Sequence, residues 1–132
     1  MTKQLTSDIY TLSEKLIRQN LENYLTERGW EIEDIRSTNR GIDLNARMHV
    51  IRWTIRANCF QLSREGIVVS FVSAIGEIVQ RMNDPNRRYS IVLPDIPPFR
   101  RLWDRLPDTA KERIQITALF VQSTGNIIEK HT

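Results

Sequence analysis

The sequence is poor in the residues that build covalent and soft-metal frameworks: one cysteine, Cys59, and two histidines, His49 and His131, in 132 residues. A lone thiol makes no internal disulfide, and two distant imidazoles assemble no zinc set, so oxygen ligands are the only metal donors left. Lysine is also scarce. It occurs only at Lys3, Lys15, Lys111 and Lys130, so most of the 19 basic residues are arginine. Long apolar runs are missing too. The longest, such as Gly66 to Val72, break within a few residues, far short of the roughly 20 apolar residues a membrane span needs. No membrane partner is expected. Thr2, Lys3 and Gln4 follow Met1 with no apolar stretch, which argues against a secretory signal, and the expected location is the cytoplasm.

What is present is the composition of an ordinary globular chain, 40% hydrophobic and 27% charged, with a net charge of +3. The length suits one core, so a single domain over residues 1–132 is expected. Arginine binds phosphate and carboxylate through a planar fork, which fits phosphate contacts or interface ion pairs. Genome base composition accounts for the arginine bias equally well.

Apolar residues at Ile9, Leu12, Leu16, Ile17, Leu21, Tyr24 and Leu25 recur at helical spacing, predicting a helix over Ser7 to Arg28 that Gly29 ends. Trp30, Ile32 and Ile35 alternate with acids as a short strand, with Trp30 placed near the surface. Ser37 to Gly41 is turn chemistry, and Ile42 to Arg47 leaves it as a strand. Val50 to Phe60, β-branched and aromatic, is the expected central strand. Ser63 to Gly66 reads as a polar break before a helix over Val68 to Met82, which Asn83 to Asn86 stop.

Tyr89 to Leu93 is a short strand closed by Pro94 and Asp95. Phe99, Leu102, Trp103 and Leu106 form a helical face, and Asp108 or Thr109 caps a last short helix. Ile116 to Val121 and Ile127 to Lys130 are strands, the second at an edge. The order α-β-β-β-α-β-α-β-β predicts an α/β fold, a mixed β-sheet flanked by helices, with antiparallel pairing first and a right-handed parallel crossover later.

Four segments in this order carry a resemblance. Arg40-Gly-Ile-Asp43-Leu-Asn-Ala46, Val50-Ile-Arg-Trp-Thr-Ile-Arg-Ala-Asn-Cys59, Ala74-Ile-Gly-Glu-Ile-Val-Gln-Arg-Met82 and Tyr89-Ser-Ile-Val-Leu-Pro-Asp95 together resemble the PD-(D/E)xK, or restriction-endonuclease-like, superfamily. That resemblance implies Gly-x-Asp on one strand, Glu-x-Lys ending the next, a helix with Gly-Gln and a strand ending in Leu-Pro-Asp. In such a centre two carboxylates hold Mg²⁺, which acidifies a bound water, while the lysine positions that water.

Aligned on Trp53, the family glutamate falls at Arg56, the lysine at Asn58 and the glycine at Cys59. A shift of two residues aligns Thr54 and Arg56 instead. Either register lacks the second carboxylate. Asp43 keeps the first position, and Gly76-Glu77 replaces Gly-Gln. Two arrangements follow: Glu14 and Glu77 rebuild a displaced Mg²⁺ site around Asp43, or Asp43, Arg56 and Glu77 form a salt-bridged remnant that needs no metal.

Blander accounts stand beside these. Asp43 alone reads as a turn acid, His49 as an exposed loop residue, Cys59 as a small buried hydrophobe, and Trp53 and Trp103 as core or interface. Arg36, Arg40, Arg47, Arg87 and Arg88 are candidates for one phosphate-lined cleft, with solvated surface charge as the alternative. Arg100, Arg101 and Arg105 are placed to pair with Asp104 and Asp108.

The expected function is a catalytically inactive nuclease-fold protein that binds DNA or another nucleic acid, or accompanies a nuclease, with a homodimer or a nuclease partner subunit as the expected assembly. An active metal-dependent nuclease and a purely protein-interacting regulatory module are the alternatives. Relatives of this fold include proteins similar to cyanobacterial excision-controlling factors.

Overall fold

The computed structural model describes residues 14–38, 41–58 and 63–131. Helix α1 (Glu14–Glu27) buries Leu21 and Leu25, and Gly29 ends it in the left-handed region, φ 85°. The part of the expected helix before Glu14 lies outside the described residues, as do Arg40 and Cys59. Strands β1 (Glu31–Thr38), β2 (Gly41–Met48) and β3 (Ile51–Asn58) follow, joined antiparallel in sequence order. Helix α2 (Arg64–Gln80) crosses over to β4 (Arg87–Pro94), which lies parallel to β3. Helices α3 (Pro97–Arg105) and α4 (Asp108–Ile114) lead to β5 (Ile116–Val121), parallel to β4, and β6 (Ile127–Lys130) returns antiparallel.

The result is one six-stranded sheet in the order β1 to β6, with β3 and β4 at its centre. The α/β class and the mixed pairing expected from the element order are both present. The polar stretch Ser63 to Gly66 is not a break. Ser63 is the N-cap of α2, its hydroxyl accepting from the Gly66 N–H at 2.9 Å, so the helix starts four residues earlier than its apolar stripe. Neither Asp108 nor Thr109 caps α4. Pro107 holds the N-cap position without a side-chain bond, and Asp108 is already in the first turn.

Strand alternation sorts side chains onto two faces. On the first, α1 covers Ile42, Leu44, Ala46, Trp53, Ile55, Ala57, Leu119 and Val121. Trp30, expected near the surface, is buried here at 6% exposure. Its ring meets Trp53 edge-on, centroids 5.1 Å apart; Trp30 directly precedes β1, two residues before Ile32, which packs on the same core. On the second face Phe71, Ala74 and Ile78 of α2 join Phe99 and Trp103 of α3 over Ile91, Leu93, Ala118 and Phe120. This second core sits on β4 and β5. The neighbouring half of the same face, on β1 to β3, is polar instead, and the functional candidates lie there.

Candidate functional site

Asp43, Asn45 and Arg47 alternate along β2 with buried Leu44 and Ala46, and their register partners on β3 are Arg56, Thr54 and Arg52. Gly41 makes this pairing close. Its φ is 154°, and a Cβ there would stand 2.0 Å from the Ala57 carbonyl oxygen and 2.8 Å from Asn58 Cα. Only glycine fits where β2 enters the sheet.

Arg56 is 1% exposed. Its Nη1 lies 3.4 Å from Asp43 Oδ1 and donates to Thr38 Oγ1 at 3.0 Å, while its Nε donates to Asn58 Oδ1. Arg56 and Asn58, at the positions where the resemblance would put glutamate and lysine, therefore serve one another. A lysine at 58 would set a second cation against a buried guanidinium, whereas the amide oxygen accepts from it.

Arg81, just beyond α2, closes the group. Its Nε is 2.7 Å from Asp43 Oδ1, its Nη2 donates to Asp43 Oδ2 at 3.0 Å, and its Nη1 donates to Glu77 Oε2 at 2.9 Å. Burial alone would lower the Arg81 pKa, but hydrogen bonds to Asp43 and Glu77 and their charges together raise it above its ordinary value. Asp43 Oδ1 lies between the two guanidiniums in ionic contact without a directed hydrogen bond. Two acids and two arginines thus form a balanced cluster.

This donor set does not fit a divalent cation. Guanidinium nitrogens flank the Asp43 carboxylate where a metal would bind, and they repel it. Glu77 reaches the cluster only through Arg81. Glu14 is exposed in the first turn of α1, and among the described residues no three His, Cys, Asp or Glu side chains converge as metal ligands. The three-acid arrangement of Glu14, Asp43 and Glu77 is not formed, because Arg81 stands between the last two.

A second polar row runs beside the cluster. Asn45 Nδ2 donates to Asp34 Oδ1 at 2.7 Å, Thr54 Oγ1 donates to Asn45 Oδ1 at 2.7 Å, and Arg87 Nη1 donates to Thr54 Oγ1 at 3.1 Å. Together they floor an open cleft of about 530 Å³, walled by Glu33, Arg36, Asp43, Arg52, Arg81 and Arg87. Of the predicted arginines, Arg36 and Arg87 line it and Arg47 stands exposed at the end of β2.

Arg88 does not join them. As the next residue on β4 it faces the other way, where it stacks over the Trp53 ring at 4.0 Å and pairs with Glu129 at 2.7 Å. Sequence reasoning missed Arg52 and Arg81. The i,i+4 spacing of Glu77 and Arg81 was a signal for that helical pair, but nothing in the sequence points Arg81 toward β2. Arg100 pairs with Asp95 at 2.7 Å rather than with Asp104 or Asp108, and Asp104 takes Lys130 at 3.0 Å.

No family model matches the sequence, and neither does any curated protein. The fold is shared with two crystal structures. One is an fdxN element excision controlling factor protein from Anabaena variabilis, 14% identical, TM-score 0.59, over 89% of this chain and 99% of that one. The other is an XisH family protein from Nostoc punctiforme PCC 73102, 16% identical, TM-score 0.56, over 86% and 96%. At these identities the likeness is one of fold, and it links the chain to the excision-controlling factors at that level. Among the described residues no helix is long and apolar enough to cross a membrane.

Proposed function

We propose that this chain is a catalytically inactive member of the restriction-endonuclease-like superfamily, a cytoplasmic nucleic-acid-binding or nuclease-associated accessory protein. One observation carries the reading: Arg56 and Arg81 hold the Asp43 carboxylate at 3.4 and 2.7 Å. Asp43 keeps the place of the first metal ligand, and two internal cations replace the charge of the ion. Phosphoryl hydrolysis of this type needs a metal-activated water, and the cluster offers neither a vacant carboxylate nor a lysine. The polar cleft beside it keeps arginines on one open sheet face, which suits phosphate contacts without chemistry.

The test combines three measurements on the full chain. Calorimetry with Mg²⁺ and Mn²⁺ is expected to show no site, and chelation to leave the melting temperature unchanged. Incubation with DNA or RNA and either metal is expected to leave the strands intact. Binding to nucleic acid is expected, with an affinity that falls steeply with salt as counterions are released. Metal-dependent cleavage lost on Asp43→Ala would overturn the reading.

A second reading is favoured by the fold shared with an excision controlling factor and by the exposed valines Val68, Val69 and Val72 on α2. In it the chain is a regulatory module that binds only protein, a homodimer or a subunit beside a nuclease. Absence of any salt-dependent nucleic-acid binding, together with a dimer or complex in solution, would select it.

A further inference from the structure

Arg47, Arg52 and Arg87 stand side by side on three adjacent strands. Arg47 is the register partner of Arg52 between β2 and β3, and Arg52 that of Arg87 between β3 and β4. Register partners project from the same side of a sheet, here the polar half-face. With strands about 4.8 Å apart, the three positions span about 10 Å.

Like charges directly opposed on a sheet destabilise it. This row is a cost to the free fold, and its surroundings relieve it little. Among the described residues Arg47 has no hydrogen-bond or ion-pair partner, although Glu31 is its register partner on β1. Arg52 reaches Glu33 only at 3.8 Å with its side chain 48% exposed. Arg87 bonds to two neutral oxygens, Asn45 Oδ1 at 3.3 Å and Thr54 Oγ1 at 3.1 Å. Arg52 and Arg87 also line the cleft that holds Glu33, Asp34 and Asp43, so carboxylates stand near the row, but among the described residues the Arg52 contact with Glu33 is the one ion pair any of the three guanidiniums makes.

We infer that the Arg47, Arg52 and Arg87 row is a binding site for the phosphodiester backbone of a nucleic-acid duplex, separate from the Asp43 cluster. The inference rests on the nucleic-acid binding proposed above. Arg47 lies four steps along β2 from Asp43, about 13 Å of strand, so the row can be altered without touching the buried charges. Its ligand is a polyanion with regularly spaced phosphates, each able to take an arginine fork.

Duplex is favoured over single strand by what the strip lacks. Proteins that hold single strands add aromatic side chains on which bases stack. Here Trp30 and Trp53 are buried on the opposite face and Tyr89 is buried in the second core. Among the described residues no exposed aromatic borders the row, and binding through phosphates alone carries no base preference.

The experiment measures fluorescence anisotropy of a short labelled duplex of mixed sequence, and of its single strand, between about 50 and 200 mM NaCl. Wild type is expected to bind the duplex more tightly. Arg47→Gln and Arg52→Gln should each reduce the slope of log K against log salt by about 0.9 and weaken low-salt binding about 3- to 10-fold. Arg105→Gln, an exposed arginine on α3, serves as the unchanged control.

The two row variants should keep or raise the melting temperature of the free protein at low salt, a gain that a structural role for these arginines would reverse. Wild-type binding with an undiminished slope in both row variants, or single strand preferred over duplex, would overturn the inference while leaving nucleic-acid binding in place. Failure of wild type to bind any nucleic acid with salt dependence would remove that binding itself.

Discussion

Arg81 holds both oxygens of Asp43, Nε in ionic contact with Oδ1 at 2.7 Å and Nη2 donating to Oδ2 at 3.0 Å, across the gap between α2 and β2. The consequence falls mainly on Arg56, which lies 1% exposed beneath the same carboxylate. A guanidinium stays protonated even when buried. Asp43 is therefore the counter-ion that lets Arg56 occupy the sheet interior.

Removing the shared anion should cost more than removing either cation's outer partner. Asp43→Ala is expected to destabilise the fold by about 3 kcal/mol, the scale for stranding a buried charge. Arg81→Gln, which leaves Arg56 and Asp43 together, should cost about 1.5 kcal/mol. Urea unfolding with unchanged m-values gives both numbers from the midpoints. A larger loss for Arg81→Gln than for Asp43→Ala would contradict this ordering.

Two glycines make opposite predictions under the same substitution. At Gly41 a methyl group would meet backbone atoms at 2.0 and 2.8 Å, and neither strand can retreat without losing its ladder. Gly41→Ala should cost about 3 kcal/mol or more. Gly76 lies inside α2 with nothing within 4 Å of the added carbon, so Gly76→Ala should stabilise by about 0.5–1 kcal/mol through helix propensity. Thermal and urea midpoints of the two variants read the sign directly.

The pH dependence should show most clearly at Asp95. Arg100 donates to both of its oxygens, at 2.7 and 3.1 Å, and Gln122 adds a bond at 3.2 Å. The Arg100 hydrogen bonds, outweighing burial, hold the Asp95 carboxyl below its ordinary value. A carboxyl with a depressed folded pKa binds fewer protons folded than unfolded, so its contribution is present above the unfolded value of about 3.9 and is lost as pH falls through the folded value. Asp95→Asn should therefore melt below wild type at neutral pH, and the gap should narrow below about pH 4. A gap that stays constant down to pH 3 would assign the loss to packing and not to charge.

Much of the fold was legible because it is written in local periodicity. The three-to-four spacing of Leu21 and Leu25, the alternation of Leu44 and Ala46 with Asp43 and Asn45, and the β-branched run of β3 each declare an element without reference to its neighbours. Where local signals compete, tertiary contacts decide. Ser63 to Gly66 looked like a break because a helix cap is polar, and Trp30 looked exposed because its partner, Trp53, is distant in sequence. Arg88 was grouped with Arg87 because adjacency in sequence hides the fact that neighbours on a strand face opposite ways.

The sequence by itself determined the α/β class and the order of helices and strands along the chain, since both follow from residue type and spacing. Tertiary structure alone decided how the charged side chains group. That Arg56 turns inward to Asn58 and Thr38, that Arg81 crosses from α2 to Asp43, and that Arg47, Arg52 and Arg87 align in one row depends on strand register and helix placement. Charges act through space over a few ångströms, and chain order does not record which of them the fold brings that close.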